Sequence, residues 1–196
     1  YAATPALAAY PERPVRLIVP FAPGGGTDIV GRLVAERLST ALKQPFIVEN
    51  KPGAGAMLGA ELVAKSPADG YTLLMGTSAE LTIGPNLSPG SLRYHPVDDF
   101  IPVALIGISP NVLLAFPGFA PRNIAELTAY AKAHPQRVSF GSGGAGTGPH
   151  LSGELLKHMG GIPMTHVPYR GTGPALADLM SGQTQLMIST MAPALP

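Results

Sequence analysis

The alternation of short apolar runs with helix-like stretches is the feature that most limits how this chain can fold. Val15 to Val19, "VRLIV", is rich in β-branched residues and predicts a buried strand. From Asp28 to Leu42, apolar residues recur at three- and four-residue steps, which predicts an amphipathic helix. The alternation continues with a strand in "FIVEN", a helix in "AMLGAELVAK" and a strand in "YTLLMGTS". Successive units of this kind predict an α/β fold with a mostly parallel sheet covered by helices.

The alternation breaks between Glu80 and Pro102, where "LSPGSLRYHPVDDFIP" is dense in proline, glycine and aspartate. Segments of this composition are typical of domain boundaries. We therefore expect two α/β lobes in sequence, residues 10–102 and residues 103–196.

The second lobe opens with two apolar runs, residues 103–108 and residues 111–116. The segment "PRNIAELTAYAKAHP" then predicts a helix with Asn123 at its N-cap and Pro135 at its end. After it the alternation resumes, with strands predicted in "VSFGS", "MTHVPY" and "TQLMIST" and helices in "HLSGELLKHM" and "PALADLMSG" between them.

The N-terminal residues 1–9 carry a hint about location. Ala6-Leu7-Ala8 fits the small-x-small pattern of a signal-peptidase site, so these residues are either the remnant of an export signal or a flexible alanine-rich tail. We expect an exported, periplasmic protein. No later apolar run approaches the roughly 20 residues of a membrane span, so the sequence predicts no membrane-embedded segment.

Composition excludes several classes of function. The chain is 45% apolar and 13% charged with a net charge of +1, which is typical of a folded domain and unlike a nucleic-acid binder. It contains no cysteine, so it has neither disulfides nor thiolate metal sites. Its five histidines lack the spacing of metal ligands, and we expect no metal site.

Glycine-rich turns follow three of the predicted strands and precede helices. They are "PFAPGGGTD" in the first lobe, and "GSGGAGTGPH" and "PYRGTGPAL" in the second. The carboxyl ends of parallel strands are where α/β sheets bind ligands. Glycine permits close backbone approach there, and the next helix offers unpaired N–H groups and the positive end of its dipole. Such turns predict cradles for an anionic group, either carboxylate or phosphate.

The turns match only part of the sequence patterns that nucleotide binding requires. Gly141, Gly143 and Gly146 satisfy the G-x-G-x-x-G pattern of dinucleotide-binding enzymes, but the following strand ends in "HVPYR" without the acidic residue that would hold the ribose. "PGGGTD" lacks the lysine and hydroxyl of a phosphate-binding P-loop. No G-x-S-x-G nucleophile motif occurs either.

Three polar residues beside these turns have alternative roles. Asp28 is either a helix N-cap, a residue that orients the glycine turn, or an (i, i+4) ion-pair partner of Arg32. His150 begins a helix beside the second glycine turn and lies four residues before Glu154, a spacing that also gives simple surface pairs. Arg170 is either a bidentate partner for a ligand carboxylate or an exposed loop residue.

Several longer motifs, taken in order, closely resemble the Bug family. They are "YPERPVRLIVPFAPGGGTDIVGRLVAERL", "VENKPGAGAMLGAELVAKSPADGYTLLMGTS", "YHPVDDFIPVALIG", "FGSGGAGTGPHLSGELLKHMGG" and "HVPYRGTGPALADLMSGQTQLM". Members of this family are extracytoplasmic substrate-binding receptors of tripartite tricarboxylate transporters. The resemblance implies a type II periplasmic-binding-protein fold, in which a ligand cleft lies between two α/β lobes.

The resemblance also implies a function. We expect a monomeric receptor that captures a small organic carboxylate, whether an amino acid, a di- or tricarboxylate or an aromatic acid, and delivers it to the membrane components of the transporter. It implies neither catalysis nor a cofactor. Carried over by motif, the ligand-binding residues are Phe21, Pro23, Gly24, Gly25, Gly26, Thr27, Asp28, Thr77 and Ser78 in the first lobe, and Ser142, Gly143, Gly144, Ala145, Gly146, Thr147, His150, Tyr169, Gly171 and Thr172 in the second.

Two expectations go beyond this list. Family members add further elements to the first lobe after the strand that matches "TQLMIST", so we expect the first lobe to be incomplete in this chain. We also expect valine at position 25 or 146 to abolish carboxylate binding in a full-length version, because a β-branched side chain cannot take a positive φ angle cheaply and would block the close approach of the backbone at Gly25 and Gly146. A nucleotide- or cofactor-using α/β enzyme and a fragment that binds no ligand remain the alternative readings.

Overall fold

Two β-sheets, one from each half of the sequence, organise the fold in the computed structural model, which describes residues 10–90 and 92–194. The tail predicted at residues 1–9 lies outside the described residues. The predicted α/β class with mostly parallel sheets is confirmed.

The first sheet contains three parallel strands in the order β2-β1-β3. Its elements follow one another as β1 Val15–Val19, α1 Gly26–Leu42, β2 Phe46–Asn50, α2 Met57–Ala64 and β3 Thr72–Leu74. The strand predicted over "YTLLMGTS" is therefore shorter than expected. A π-helical turn, Ala79–Ile83, and the short helix α3, Gly84–Leu87, complete this half of the chain.

The second sheet contains four strands in the order β4-β7-β5-β6, in which only β4 runs antiparallel to its neighbour. Its elements are β4 Asn111–Ala115, α4 Ile124–Ala133, β5 Ser139–Ser142, α5 Gly148–Gly160, β6 Thr165–Pro168, α6 Thr172–Met180 and β7 Leu186–Thr190. Helix α4 begins as predicted, because the Asn123 side chain accepts a hydrogen bond from the Glu126 N–H at 2.9 Å.

The fully buried residues by which helix α1 packs on its sheet are small, Gly31 and Ala35. Of the large residues on the predicted face, Leu38 is partly buried against the core, whereas Leu33 and Leu42 are exposed. The reason is distance, since a Cβ at Gly31 would lie only 3.0 Å from Val19 Cγ2. The helix therefore approaches the sheet more closely than leucine at position 31 would permit.

The first apolar run of the second lobe, residues 103–108, forms no strand. The segment around it has no regular secondary structure and is solvent-exposed, with exposed fractions of 87% at Ile101, 84% at Val103, 82% at Leu105 and 90% at Ile108. The second run contains β4, which pairs with β7. The boundary predicted between residues 102 and 103 thus falls in this irregular segment and stays a prediction.

Candidate ligand-binding cleft

A cleft of about 250 Å³ lies between the two sheets, where their parallel strands end. One wall follows β1 and β2, and the other follows β5 and β6. The residues that line it are Pro20, Phe21, Gly53, Ala54, Gly55, Ala56, Gly143, Gly144, Ala145, Pro168, Tyr169 and Arg170. Apart from Tyr169 and Arg170, these residues are glycine, alanine, proline and phenylalanine.

The first-lobe wall contains a turn with an unusual backbone. Four successive residues have positive φ angles: Gly53 at 138°, Ala54 at 48°, Gly55 at 63° and Ala56 at 80°. For alanine this region costs about 1–2 kcal/mol relative to ordinary helical geometry. Strain of this kind concentrates at functional sites, where the surrounding structure maintains it.

The opposite wall is the loop of Gly143, Gly144 and Ala145, and it approaches the first-lobe turn closely. A Cβ on Gly55 would lie 2.5 Å from the Ala145 carbonyl oxygen. Gly144 has a φ of 141°, and a Cβ added to it would lie 3.9 Å from Gly55 Cα. Glycine at positions 55 and 144 therefore permits the two lobes to meet backbone to backbone at this end of the cleft.

The three consecutive glycines that follow β1 lie beside the cleft and do not line it. Gly24 and Gly25 pack against Thr172 and Gly173 at the start of α6. The neighbouring Ala22 N–H donates to the Arg170 carbonyl at 3.0 Å. The glycine turn therefore joins the lobes, and the loop that it faces is the one after β6 and not the "GSGGAG" loop.

The positive φ predicted for Gly25 is not observed. Its φ is −83°, which any residue adopts, while Gly24 has the positive φ of 83°. Gly25 is restricted by space instead, because a Cβ there would lie 3.3 Å from Thr172 Cβ. Gly146 has the expected positive φ of 76°.

Asp28 orients the glycine turn and is not a helix N-cap, since the N-cap of α1 is Gly25. Its buried carboxylate accepts hydrogen bonds from the Gly24 N–H at 2.9 Å, from Arg32 Nε at 3.0 Å and from Asn50 Nδ2 at 2.8 Å. Burial alone would raise the pKa of Asp28, but these three donors outweigh it and hold the pKa below the usual 3.8. The negative charge of Asp28 is thus neutralised within the first lobe.

Thr77 and Ser78 lie outside the cleft lining. The Thr77 N–H and hydroxyl both donate to the Glu80 carboxylate, with Thr77 Oγ1 at 2.7 Å from Glu80 Oε2. Glu80 is fully buried, and this burial raises its pKa to about 7. The alanine between them, Ala79, packs on Phe21 and Ala56 beneath the cleft. Thr77 therefore belongs to the support of the first-lobe wall.

The remaining predicted residues of the second lobe surround its binding loop. Ser142 and Thr147 hydrogen-bond Gly144, and His150 Nδ1 accepts from the Gly146 N–H at 3.1 Å. Thr172 lies between the two lobes, close to both Gly25 and Gly143. Gly171, with a φ of 149°, packs against Ala22.

Tyr169 lines the cleft, and a hydrogen bond to Asp178 holds its side chain in place. Its hydroxyl donates to Asp178 Oδ2 at 2.6 Å, and burial together with Asp178 raises the pKa of Tyr169 to about 12. The hydroxyl therefore stays protonated at physiological pH.

Sequence reasoning missed the turn of residues 53–56. Its signal was present, because "KPGAGAM" also joins a strand to a helix and contains two glycines. The two alanines with positive φ, Ala54 and Ala56, carry no such signal, since alanine occurs in every type of element.

Two other kinds of feature, a metal site and a membrane-spanning helix, are absent from the part of the chain that the structure describes. Across residues 10–90 and 92–194, no group of three or more potential ligand side chains is placed to hold a metal ion. In the same residues, no helix has both the length and the apolarity needed to cross a membrane.

Two α/β lobes with a cleft at the carboxyl ends of their strands define a bilobal periplasmic-binding-protein fold. The sequence supplies the family within this class, since residues 30–196 match the model of the tripartite tricarboxylate transporter family receptors. The chain therefore belongs to that family, and the resemblance to the Bug proteins is confirmed. It is 41% identical over 183 residues to protein BugT of Bordetella pertussis, covering 93% of this chain but 56% of BugT.

Solved structures agree with the fold. The chain superposes with a TM-score of 0.90 on an R. palustris protein with adipate (37% identity, 95% of this chain and 62% of that one). It superposes with a TM-score of 0.87 on MatC from Rhodopseudomonas palustris with bound malate (38% identity, 94% and 63%). The periplasmic binding protein BugD gives a TM-score of 0.80 at 37% identity, with 93% and 60% covered. These relatives are longer than this chain, as the resemblance implied.

Proposed function

We propose that this chain forms the ligand-binding part of a solute receptor, in which the cleft holds a small organic carboxylate. The observation that carries the proposal is the lining itself. Among the described residues that line the cleft, Arg170 alone is charged, and the rest present glycine and alanine backbone or apolar rings. A guanidinium group beside exposed N–H groups suits a carboxylate, which accepts several charge-assisted hydrogen bonds.

The charges near the cleft favour the same ligand. Within residues 10–90 and 92–194, Arg170 forms no ion pair, so its charge is available to a ligand. The Asp28 carboxylate, beside the glycine turn, is already bound to Arg32 and Asn50. An anion entering the cleft therefore meets one cation and no opposing free carboxylate.

The size of the cleft favours a small ligand. Pockets for drug-sized molecules measure about 300–1,000 Å³, and this one measures about 250 Å³. Adipate and malate, the ligands of two structural relatives, are small dicarboxylates of the appropriate charge. Because BugD is a periplasmic binding protein and the matching family consists of transporter receptors, we place the protein in the periplasm, as a non-catalytic receptor that is monomeric when dilute. It would deliver its ligand to the membrane components of a tripartite tricarboxylate transporter.

Calorimetric titration of the chain with adipate, malate, NAD and ATP tests the proposal. We expect binding of at least one carboxylate and of neither nucleotide. Binding of nucleotides alone would favour the cofactor-using enzyme, and no binding by any compound would favour the fragment without ligand-binding activity.

A matched pair of variants locates the site. Arg170→Gln should weaken carboxylate binding by about tenfold or more, since charged hydrogen bonds contribute about 1.5–3 kcal/mol. Arg137→Gln removes the same charge from an exposed position away from the cleft and should leave affinity within about twofold. Equal weakening by both variants would place the ligand elsewhere.

A further inference from the structure

Three side chains lie directly behind the second-lobe binding loop: Ser142, His150 and His166. The proposed function assigns no role to His166. His166 Nε2 lies 2.7 Å from Ser142 Oγ, so β6 and β5 are joined by this contact. The His166 ring stacks on His150 of α5, with centroids 4.1 Å apart and planes 27° from parallel. Phe140 covers the other side of His166 at 4.9 Å.

This group holds two glycines of the loop through separate contacts. Ser142 Oγ accepts from the Gly144 N–H at 3.3 Å and donates to the Gly144 carbonyl at 3.2 Å. His150 Nδ1 accepts from the Gly146 N–H at 3.1 Å, which requires that this nitrogen carry no proton. Because Gly143, Gly144 and Ala145 line the cleft, the position of the cleft wall depends on these contacts.

The charged groups around His166 determine which form of the ring the fold accepts. Burial first, then the neighbouring His150 and Lys157, lower the pKa of His166 to about 4, although Glu154 acts in the opposite direction. A depressed pKa on a base means that the folded state prefers the neutral ring. The resulting stability is fully present above the unfolded value of 6.5 and is lost as the pH falls from 6.5 toward about 4.

We propose that His166 is a positioning residue for the second-lobe binding loop, acting on Gly144 through Ser142 and on Gly146 through the stacked His150, so that acid releases the loop. Protonation of His166 places a positive charge on a ring whose centroid lies 4.1 Å from that of His150. The charged ring favours water over this buried stack, so it moves away from His150 and frees Ser142. Only the expected effect of His166 on ligand binding rests on the proposed function.

The first test needs no ligand and no variant. In NMR spectra of the full 196-residue chain, recorded from about pH 8 to about pH 3, the backbone amides of Gly144 and Gly146 should shift with the midpoint of the His166 imidazole. Amides that stay unchanged while the His166 imidazole titrates would overturn the proposal.

The second test separates a positioning role from simple packing. His166→Phe keeps a ring in the stack but removes Nε2, and it should weaken adipate or malate binding near neutral pH by roughly 3–10-fold, the effect of one lost hydrogen bond. His166→Gln retains a polar partner for Ser142 without a titrating group. It should bind within about threefold of the wild type while the acid response of Gly144 disappears.

His158→Gln is the matched control, because His158 is an exposed histidine on α5. It should retain both the wild-type affinity and the acid response. Wild-type affinity in His166→Phe, or an unchanged Gly144 response in His166→Gln, would overturn the proposal. If the wild-type chain binds no carboxylate, the proposed function fails, and the ligand-free titration still decides the role of His166.

Discussion

Two buried carboxylates in the first lobe face opposite surroundings. Asp28 accepts hydrogen bonds from a backbone amide, an amide side chain and an arginine, so the fold favours its charged form. Glu80 has Thr77 as its side-chain partner and no cation in contact within the described chain, so the fold favours its neutral form. The same chemical group therefore makes the protein acid-sensitive at one position and alkali-sensitive at the other.

Replacing Glu80 should stabilise the protein at alkaline pH. Its pKa is raised from 4.5 to about 7, so the stability that it contributes is fully present below pH 4.5 and is lost as the pH rises to about 7. Glu80→Gln retains an acceptor for the Thr77 N–H and cannot ionise. Near pH 8 it should exceed the wild type in free energy of unfolding by on the order of 3 kcal/mol, at about 1.4 kcal/mol per pKa unit.

Urea denaturation near pH 4 and near pH 8 measures this difference. Asp28→Asn is the comparison variant, and it should lose about 1–3 kcal/mol near pH 7 because its three donors lose a charged acceptor. Parallel pH profiles for the wild type and Glu80→Gln would show that Glu80 is already ionised in the folded state.

At the scale of elements, the sequence predicts the order of strands and helices well. Local periodicity, which is visible in any window of a dozen residues, predicts the strands β1, β2, β4, β5 and β7 and the helices between them. The end of α4 and its Asn123 cap follow from equally local chemistry.

The candidate site is less predictable because it depends on which loops meet across the two lobes. Gly25 and Gly143 both lie in glycine-rich turns, yet of these two only Gly143 lines the cleft. That difference arises from packing between residues about 150 apart in sequence, such as Gly24 against Gly173, and no local pattern records it. Phe21, Gly143, Gly144, Ala145 and Tyr169 do line the cleft, and their part in ligand binding stays a prediction.

The contact between Gly55 and Ala145 gives a prediction about closure of the two lobes. Gly55→Ala adds a Cβ 2.5 Å from a backbone oxygen of the other lobe, at a φ of 63°. The lobes must separate to accommodate it, so carboxylate affinity should fall by about tenfold or more, equivalent to about 1.4 kcal/mol. Calorimetric titration measures the affinity, and small-angle scattering measures the separation.

Gly161→Ala provides the control for backbone strain. Gly161 has a similar φ of 56° at the end of α5, but a Cβ there meets nothing within 4 Å. This variant should lose stability without losing affinity. If both variants weaken binding equally, the strain at positive φ and not the contact between lobes explains the effect.

At the scale of the whole molecule, apolar surface is unevenly distributed. Isolated exposed apolar residues are ordinary on protein surfaces, but residues 101–108 place five large ones in one segment without strand partners in the described chain. An exposed apolar segment whose backbone groups are unpaired offers a surface for association with another chain.

We therefore expect the 196-residue chain to self-associate through this segment as its concentration rises. The triple variant Val103→Thr, Leu105→Thr and Ile108→Thr removes apolar surface without changing the charge, and sedimentation should show it as a monomer at concentrations where the wild type associates. The matched control, Leu58→Thr, Leu155→Thr and Met159→Thr, replaces three exposed apolar residues that are dispersed over two helices. An equal reduction of association by both triple variants would mean that general surface hydrophobicity, and not the unpaired segment, drives the chains together.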